Sequence, residues 1–353
     1  MGIGLPLIDE YSHCGYADSV EHAALVQRIL LVGAFTWKRL LAEYERRLQG
    51  SDVKSRLQTL RDAWEVCSPH AGPLPSLSVS RCPACANEAV SPAICRLPED
   101  VYGLCSHCGH GVLLSQAAAA ESVYRNSDYY TKQTANRVGY EDYLSEQRYR
   151  EDKAAQLLDW IANSATRPIR SMLEIGSAYG FSRAAAERRG WRTFGVDLNP
   201  HAAATARKLY GFETFIGTLE QALTAGAVAS GVWDLVLYQF VLEHVVDPIH
   251  ELRQAAKSAT PLGVVALLVP SMQAVERFVF GASYRSLRPD HLHLFSWKSL
   301  DSCLTKAGLA RIVSRSTCSV HLLAGFLTEQ ELTMLYERGD GPDLVAIVAK
   351  EIS

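Results

Sequence analysis

The sequence predicts an α/β protein built on an open, mostly parallel sheet covered by helices on both faces. Three observations carry that prediction. The runs 171–175, 193–196, 214–216, 233–238 and 264–269 are almost continuously apolar, as strands buried on both faces are. Helical segments fill the gaps between them, the pattern of strand–helix–strand units. The first run leads through Leu173-Glu174-Ile175 into Gly176-Ser177-Ala178-Tyr179-Gly180, a glycine turn between a strand and a helix over 181–189.

Taken from the N-terminus, residues 1–75 form a helical segment, 76–130 a cysteine- and tyrosine-bearing module, and 131–353 the sheet domain. Met1-Gly2-Ile3-Gly4-Leu5-Pro6 has no basic stretch followed by an apolar one, so no secretory signal is expected. Leu25, Ile29, Val32 and Phe35, then Leu57, Leu60 and Trp64, fall at helical spacing on either side of Gly50-Ser51-Asp52. These helices are expected to pack on the rest of the chain or to form a homodimer. The apolar stretch 29–35 is too short to span a bilayer. Residues 68–75 are a linker by composition. An amphipathic helix is expected over 140–163, stopped by Arg167-Pro168. The runs 310–314 and 343–349 read as an antiparallel pair at the sheet edge, joined without a full-length crossover helix.

At 353 residues, 48% hydrophobic and 21% charged, the chain has the composition of a globular protein with a sizeable core. A formal charge of -3 offers no electrostatic case for a polyanion partner, so nucleic acid is not the expected ligand, and neither is a membrane. Cytoplasmic residence is expected. There paired Cys-x-x-Cys spacings mean metal or redox chemistry rather than disulfides. Cys82-Pro83-Ala84-Cys85 and Cys105-Ser106-His107-Cys108 are two such knuckles, separated by residues 86–104. Four thiolates from two knuckles make a closed, structural Zn2+ site. Cys14, Cys67, Cys95, Cys303 and Cys318 show no pairing logic, and His107 is expected in solvent.

Gly176 suits the tight turn, Gly180 the close approach at the helix start, and Gly190 the helix end. Asp197 ends the second strand, about 20 residues after the turn, where an acid accepts the hydroxyls of a ribose. A dinucleotide turn needs glycine at its first, third and sixth positions; Ala178 and Phe181 occupy two of these, and Phe181 opposes a pyrophosphate on the helix start. Glu174 suits a cationic or amino-bearing ligand.

These residues, with Trp233-Asp234-Leu235-Val236, Leu242-Glu243-His244-Val245-x-Asp247-Pro248, Pro261-Leu262-Gly263 and His291-Leu292-His293-Leu294-Phe295-Ser296, resemble class I S-adenosylmethionine-dependent methyltransferases over about residues 140–351. The resemblance implies a Rossmann-like sheet of seven strands and S-adenosyl-L-methionine as cofactor. It places Glu174, Gly176, Ser177, Ala178 and Gly180 along methionine and ribose, Asp197 and Leu198 at ribose and adenine, and Thr218 and Leu219 near the adenine edge. Tyr238 and Gln239 fall beneath the methionine end.

Zinc knuckles precede such a domain in enzymes that C-methylate nucleotide-linked sugars and in others that methylate ribosomal RNA bases. The stretch 124–130 resembles the tyrosine-bearing linker of the sugar and other small-molecule enzymes. The sugar enzymes usually continue into a further C-terminal domain, which weighs against sugar C-methylation itself. The expected reaction is methyl transfer to a small-molecule acceptor, a sugar or natural-product intermediate, on carbon, oxygen or nitrogen. RNA base methylation and a non-catalytic scaffold are the alternatives. A base is needed where the acceptor loses a proton, and His244 with Glu243 after the fourth strand is the first candidate. His291 and His293 on the loop after the fifth strand are the others, each open to a structural reading. Tyr129 and Tyr130 either close the pocket or pack on the sheet edge.

Overall fold

The computed structural model describes residues 52–67, 81–88, 90–95, 101–114, 120–134, 138–317, 323 and 326–350. The expected helix before residue 50, the linker 68–75 and Cys14 and Cys318 lie outside them, and with them most of the expected dimer surface.

In chain order the elements are α1 (Val53–Cys67), β1 (Val90–Cys95), β2 (Val101–Cys105), β3 (Gly111–Leu113), α2 (Ala120–Arg125), α3 (Gln147–Ser164), β4 (Ser171–Ile175), α4 (Phe181–Glu187), β5 (Arg192–Asp197), α5 (Pro200–Tyr210), β6 (Thr214–Ile216) and α6 (Leu219–Thr224). They continue as β7 (Trp233–Gln239), α7 (Pro248–Ser258), β8 (Ala259–Pro270), α8 (Val275–Phe280), β9 (His293–Leu294), α9 (Trp297–Lys306), β10 (Leu309–Thr317), α10 (Glu329–Glu337) and β11 (Asp343–Lys350).

Seven strands form one sheet in the order β10-β11-β8-β7-β4-β5-β6. Neighbours from β6 to β8 run parallel, and β11 runs antiparallel to both β8 and β10. Strand parity divides the core. Met172, Leu235 and Leu237 face α3 and α4 through Leu157, Leu158, Ile161, Ala185 and Ala186. Leu173, Ile175, Val236 and Tyr238 face α7 and α9 through Leu252, Ala255, Leu300 and Leu304. Both faces are therefore covered, which is why these strands read as continuous apolar runs.

Three expectations shift. α3 begins at Gln147 rather than near 140, because Asp142 Oδ1 accepts the Leu144 and Ser145 amides (both 3.1 Å) and starts a separate short turn. α4 stops at Glu187, before the left-handed Gly190 (φ 75°). Full helices do flank the edge strands: α9 is capped by Ser296 and Ser299, and α10 by Thr328 and Glu331, each a reciprocal capping pair.

A second sheet has the order β1-β2-β3-β9 and is antiparallel throughout. Its fourth strand comes from the loop between β8 and α9, with Gly111 opposite Leu294 and Val112 opposite His293. The cysteine knuckles sit on α9: Ser302 Oγ and Lys306 Nζ donate to the Ala84 carbonyl at 3.1 and 2.6 Å, and Lys298 Nζ donates to the His107 carbonyl at 2.5 Å. α1 buries Leu57, Leu60 and Ala63 with Val279 and Phe280 of α8 and Leu332 and Leu335 of α10. Arg56 pairs with Glu331 at 2.8 Å, so this helix packs on its own chain. Among the described residues no helix is long and apolar enough to cross a membrane.

Candidate active site and metal centres

The carboxyl ends of β4 and β5 meet at the glycine turn. Gly176 takes φ 67°, and a Cβ there would lie 2.4 Å from Val241 Cγ2, so glycine is required for both conformation and space. Its amide and that of Ser177 donate to the Val196 carbonyl (2.8 and 3.2 Å), fastening the turn to β5. Gly180 (φ 83°) opens α4, and a Cβ there would press on Phe212 at 2.8 Å, so the lack of a side chain lets the helix start pack against that ring. Ala178 holds φ 44°, a left-handed conformation that strains a residue with a Cβ.

Asp197 is buried, and its carboxylate is already aimed. Oδ2 accepts the Ala178 amide and Oδ1 the Asn199 amide, both at 2.7 Å. Burial nevertheless pushes its pKa up to about 6, against the pull of those two amides. Glu174 lies on the α4 side, buried, and burial raises it to about 8 despite Ser182 and Arg183 nearby. Glu174 Oε2 and Ser177 Oγ have no hydrogen-bond partner among the described residues. Two orphaned buried polar atoms beside a pre-aimed carboxylate fit a ligand that brings its own donors, an ammonium and ribose hydroxyls. The residues present therefore suit the amino-acid and ribose parts of S-adenosylmethionine.

The other expected cofactor residues divide. Gln239 shares a face with Glu174, and Ser182 Oγ donates to its Oε1 at 3.3 Å. Leu198 is half-buried at the end of β5. Tyr238 points to the opposite face, where its hydroxyl donates to Glu251 Oε1 at 2.9 Å, so its side chain is not beneath the turn. Leu219 is fully buried in the core, and the Thr218 hydroxyl caps α6 by accepting the Gln221 amide; only their backbone is left for an adenine edge.

Across the sheet edge, the loop after β7 presents Glu243 and His244, and the loop before β9 presents His291. Glu243 is fully buried, and neither carboxylate oxygen has a hydrogen-bond partner among the described residues; burial raises its pKa well above the ordinary range. His244 Nδ1 lies 2.6 Å from the Asp290 carbonyl, which can only accept, so Nδ1 carries the proton and Nε2 the lone pair. Burial lowers the His244 pKa, keeping the ring neutral near pH 7. His291 is fixed the same way, Nδ1 to the Ser286 carbonyl at 2.9 Å. His293 is not part of this group: it bridges His110 (3.1 Å) and the Val245 carbonyl (3.0 Å), and burial lowers its pKa to about 4.

Three residues with no assigned role in the sequence reading complete the region. The Tyr124 hydroxyl sits 2.5 Å from His244 Nδ1 and donates to Asp290 Oδ2 at 3.2 Å. Arg288 holds Asp290 through two contacts of 3.0 Å and keeps its carboxyl below the usual range. The tyrosine linker is pinned over the turn, because Asn199 Nδ2 donates to the Tyr124 and Asn126 carbonyls (2.7 and 2.9 Å). Tyr129 and Tyr130 are buried with Tyr140, Tyr143, Tyr179 and Phe181, a packed aromatic cluster rather than exposed rings. Asp290 and Arg288 were legible only as charges beside His291.

The four knuckle cysteines converge. Cys82 Sγ lies 3.6 Å from Cys108 Sγ, and Cys85 Sγ 3.7 Å from Cys105 Sγ. Four sulfurs around a tetrahedral Zn2+ at about 2.3 Å would stand about 3.8 Å apart, so the set fits the ion. The knuckles are built alike: Ala86 and Gly109 donate to the Cys82 and Cys105 carbonyls (both 2.8 Å) and take φ 65° and 73°. His107 is exposed, as expected.

Residues 146–314 match the family described as a methyltransferase domain. The chain is 34% identical over 146 residues to a ubiquinone biosynthesis O-methyltransferase of Caulobacter sp. (strain K31), covering 35% of this chain and 56% of that protein. It is 26% identical over 197 residues to the protein of the same name from Hahella chejuensis, covering 53% and 78%. Against the first of these the chain spans about half the relative's length. Among solved structures, a SAM-dependent methyltransferase from Archaeoglobus fulgidus aligns at 17% identity and a TM-score of 0.44, covering 57% of this chain and 94% of that one.

Proposed function

We propose, from the methyltransferase domain at residues 146–314, that the chain moves the methyl group of S-adenosylmethionine to a hydroxyl of a small molecule. The observation that carries this reading is the turn itself: Asp197 pre-aimed by two amides, beside the unpartnered Glu174 Oε2 and Ser177 Oγ. S-adenosylmethionine, held at the turn by Glu174, Ser177 and Asp197, would supply a sulfonium methyl group for in-line transfer to the acceptor oxygen, its sulfur keeping the electron pair of the broken carbon–sulfur bond. The hydroxyl proton leaves to His244 Nε2, whose tautomer the Asp290 carbonyl sets. The names of the curated relatives favour oxygen over carbon or nitrogen as the methylated atom. Cys82, Cys85, Cys105 and Cys108 hold one structural Zn2+ in this reading, which suits the reducing cytoplasm because thiolates must stay unoxidised.

Calorimetric titration with S-adenosylhomocysteine tests the claim. Binding in the micromolar range is expected, and Asp197→Ala should weaken it by about a hundredfold, since hydrogen bonds to a charged acceptor each contribute about 1.5–3 kcal/mol. No heat of binding at millimolar ligand would sink the assignment.

A further inference from the structure

The histidine–carboxylate group across from the glycine turn has a property that a general base does not require. Glu243, His244 and His291 can each offer one ligand atom, and these atoms all lie within 4.8 Å of one another. A lone imidazole base needs one free nitrogen. Here two imidazoles are turned the same way, each with Nδ1 tied to a backbone carbonyl, at 2.6 Å for His244 and 2.9 Å for His291. That hydrogen bond leaves Nε2 bare on both rings and is the usual outer support of a metal-bound histidine. Within 4.8 Å of both is a carboxylate that is fully buried with both oxygens unpartnered among the described residues.

A buried carboxylate in that state is costly, and its surroundings do little to relieve it. His244 Nε2 is 3.8 Å from Glu243 Oε1, beyond hydrogen-bond reach. The nearby guanidinium of Arg288 is engaged by Asp290 through two 3.0 Å contacts. A cation of +2 charge placed between the three atoms would supply the missing partner for Glu243 and use both bare nitrogens at once.

We propose that Glu243, His244 and His291 bind one divalent first-row cation, such as Mn2+, Fe2+ or Zn2+, as a site separate from the cysteine zinc. Two imidazoles and one carboxylate are a ligand set for such ions, unlike the four thiolates of the knuckles. At about 2.1 Å from each ligand, a tetrahedral ion would draw Glu243 Oε1 and His244 Nε2 from 3.8 Å to about 3.4 Å, a small adjustment. Three protein ligands leave further coordination positions open. Those positions suit an acceptor that offers oxygen ligands, such as vicinal hydroxyls or a hydroxyl beside a carbonyl. The inference rests on the methyl-transfer reading for that acceptor and revises its proton step: with the ion bound, His244 Nε2 would be a ligand rather than the base, and the ion would lower the hydroxyl's pKa so that its proton passes to solvent water.

Mn2+ discriminates between the two centres, because it prefers nitrogen and oxygen ligands over a zinc-filled thiolate cage. The full chain, loaded with one zinc, is titrated with Mn2+ and the free ion is followed by electron paramagnetic resonance. One Mn2+ bound per chain is expected, with affinity at least tenfold weaker in Glu243→Gln and in His291→Ala, and unchanged in Asp197→Ala. S-adenosylhomocysteine binding on the same samples serves as the folding control for Glu243→Gln and His291→Ala, and a thermal melt serves for Asp197→Ala, whose ligand affinity is expected to fall. No Mn2+ bound at millimolar concentration by wild-type protein that still binds S-adenosylhomocysteine overturns the metal site and leaves the methyl-transfer reading standing. Mn2+ binding that survives both ligand substitutions overturns it equally. Loss of S-adenosylhomocysteine binding by wild-type protein with Mn2+ retained would count against the methyl-transfer reading instead.

Discussion

Binding of S-adenosylhomocysteine at neutral pH should expel about one proton from the protein, and Glu174 is its source. Burial holds this carboxyl at about 8, so at pH 7 about nine-tenths of the free protein carries it protonated. An ammonium brought against Oε2, which has no partner among the described residues, favours the ionised form. Ionising the group at pH 7 costs about 1.4 kcal/mol. Affinity should therefore rise about tenfold between pH 6 and pH 7, with Asp197, at about 6, adding less than a factor of about two. The sign is opposite for the free protein. A carboxyl whose folded pKa is raised keeps its proton while the unfolded chain has lost it, so stability declines as pH rises from about 4.5 to about 8. Calorimetry in two buffers of different ionisation enthalpy reads the proton count directly. Glu174→Gln should bind more weakly, release almost no proton and lose the slope. Tight binding by the wild type with no proton release at pH 7 would refute the argument.

Other consequences are open to measurement. Ala178→Gly relieves a left-handed alanine (φ 44°) and should raise Tm by about 1–2 °C in a thermal melt, since the strain of about 1 kcal/mol exceeds the entropy that glycine adds to the unfolded chain. A strong chelator should release about one zinc per chain and lower Tm by about 5 °C or more, because Cys82, Cys105 and Cys108 lie in the same buried cluster as Leu300 and Cys303 of α9. Tyr124→Phe removes the hydroxyl beside His244 Nδ1 and should lower kcat by about tenfold while S-adenosylhomocysteine affinity stays within twofold. Equal losses in both would place Tyr124 in ligand binding instead.

What the sequence made legible was local. The glycine turn, Asp197 and the two knuckles each depend on a few neighbouring residues, and their spacing alone carries the chemistry. Tyr238 shows where such reading needs one more step. It has the strand parity of Val236, so its ring belongs with α7, while Gln239 has the parity of Leu237 and lies with Glu174. The pairing of β9 with β3 and the contact of Tyr124 with His244 bring together residues far apart in the chain. No periodicity signals such contacts, which follow from packing already assembled elsewhere. His293 illustrates the same limit: two residues from His291, it is spent on His110 and a carbonyl.

The two-residue strand His293–Leu294 belongs in sequence to the sheet domain and in space to the cysteine-knuckle sheet. An excision that began after the tyrosine linker would strip β3 from it, leaving naked amides at the foot of the loop that carries His291. Exposed strand edges of that kind recruit other chains. The knuckles are thus not a cassette that protein engineers can exchange between enzymes. Any hybrid would have to import the β9 loop together with the cysteines, and so would inherit one wall of the donor's reaction pocket along with its metal fold.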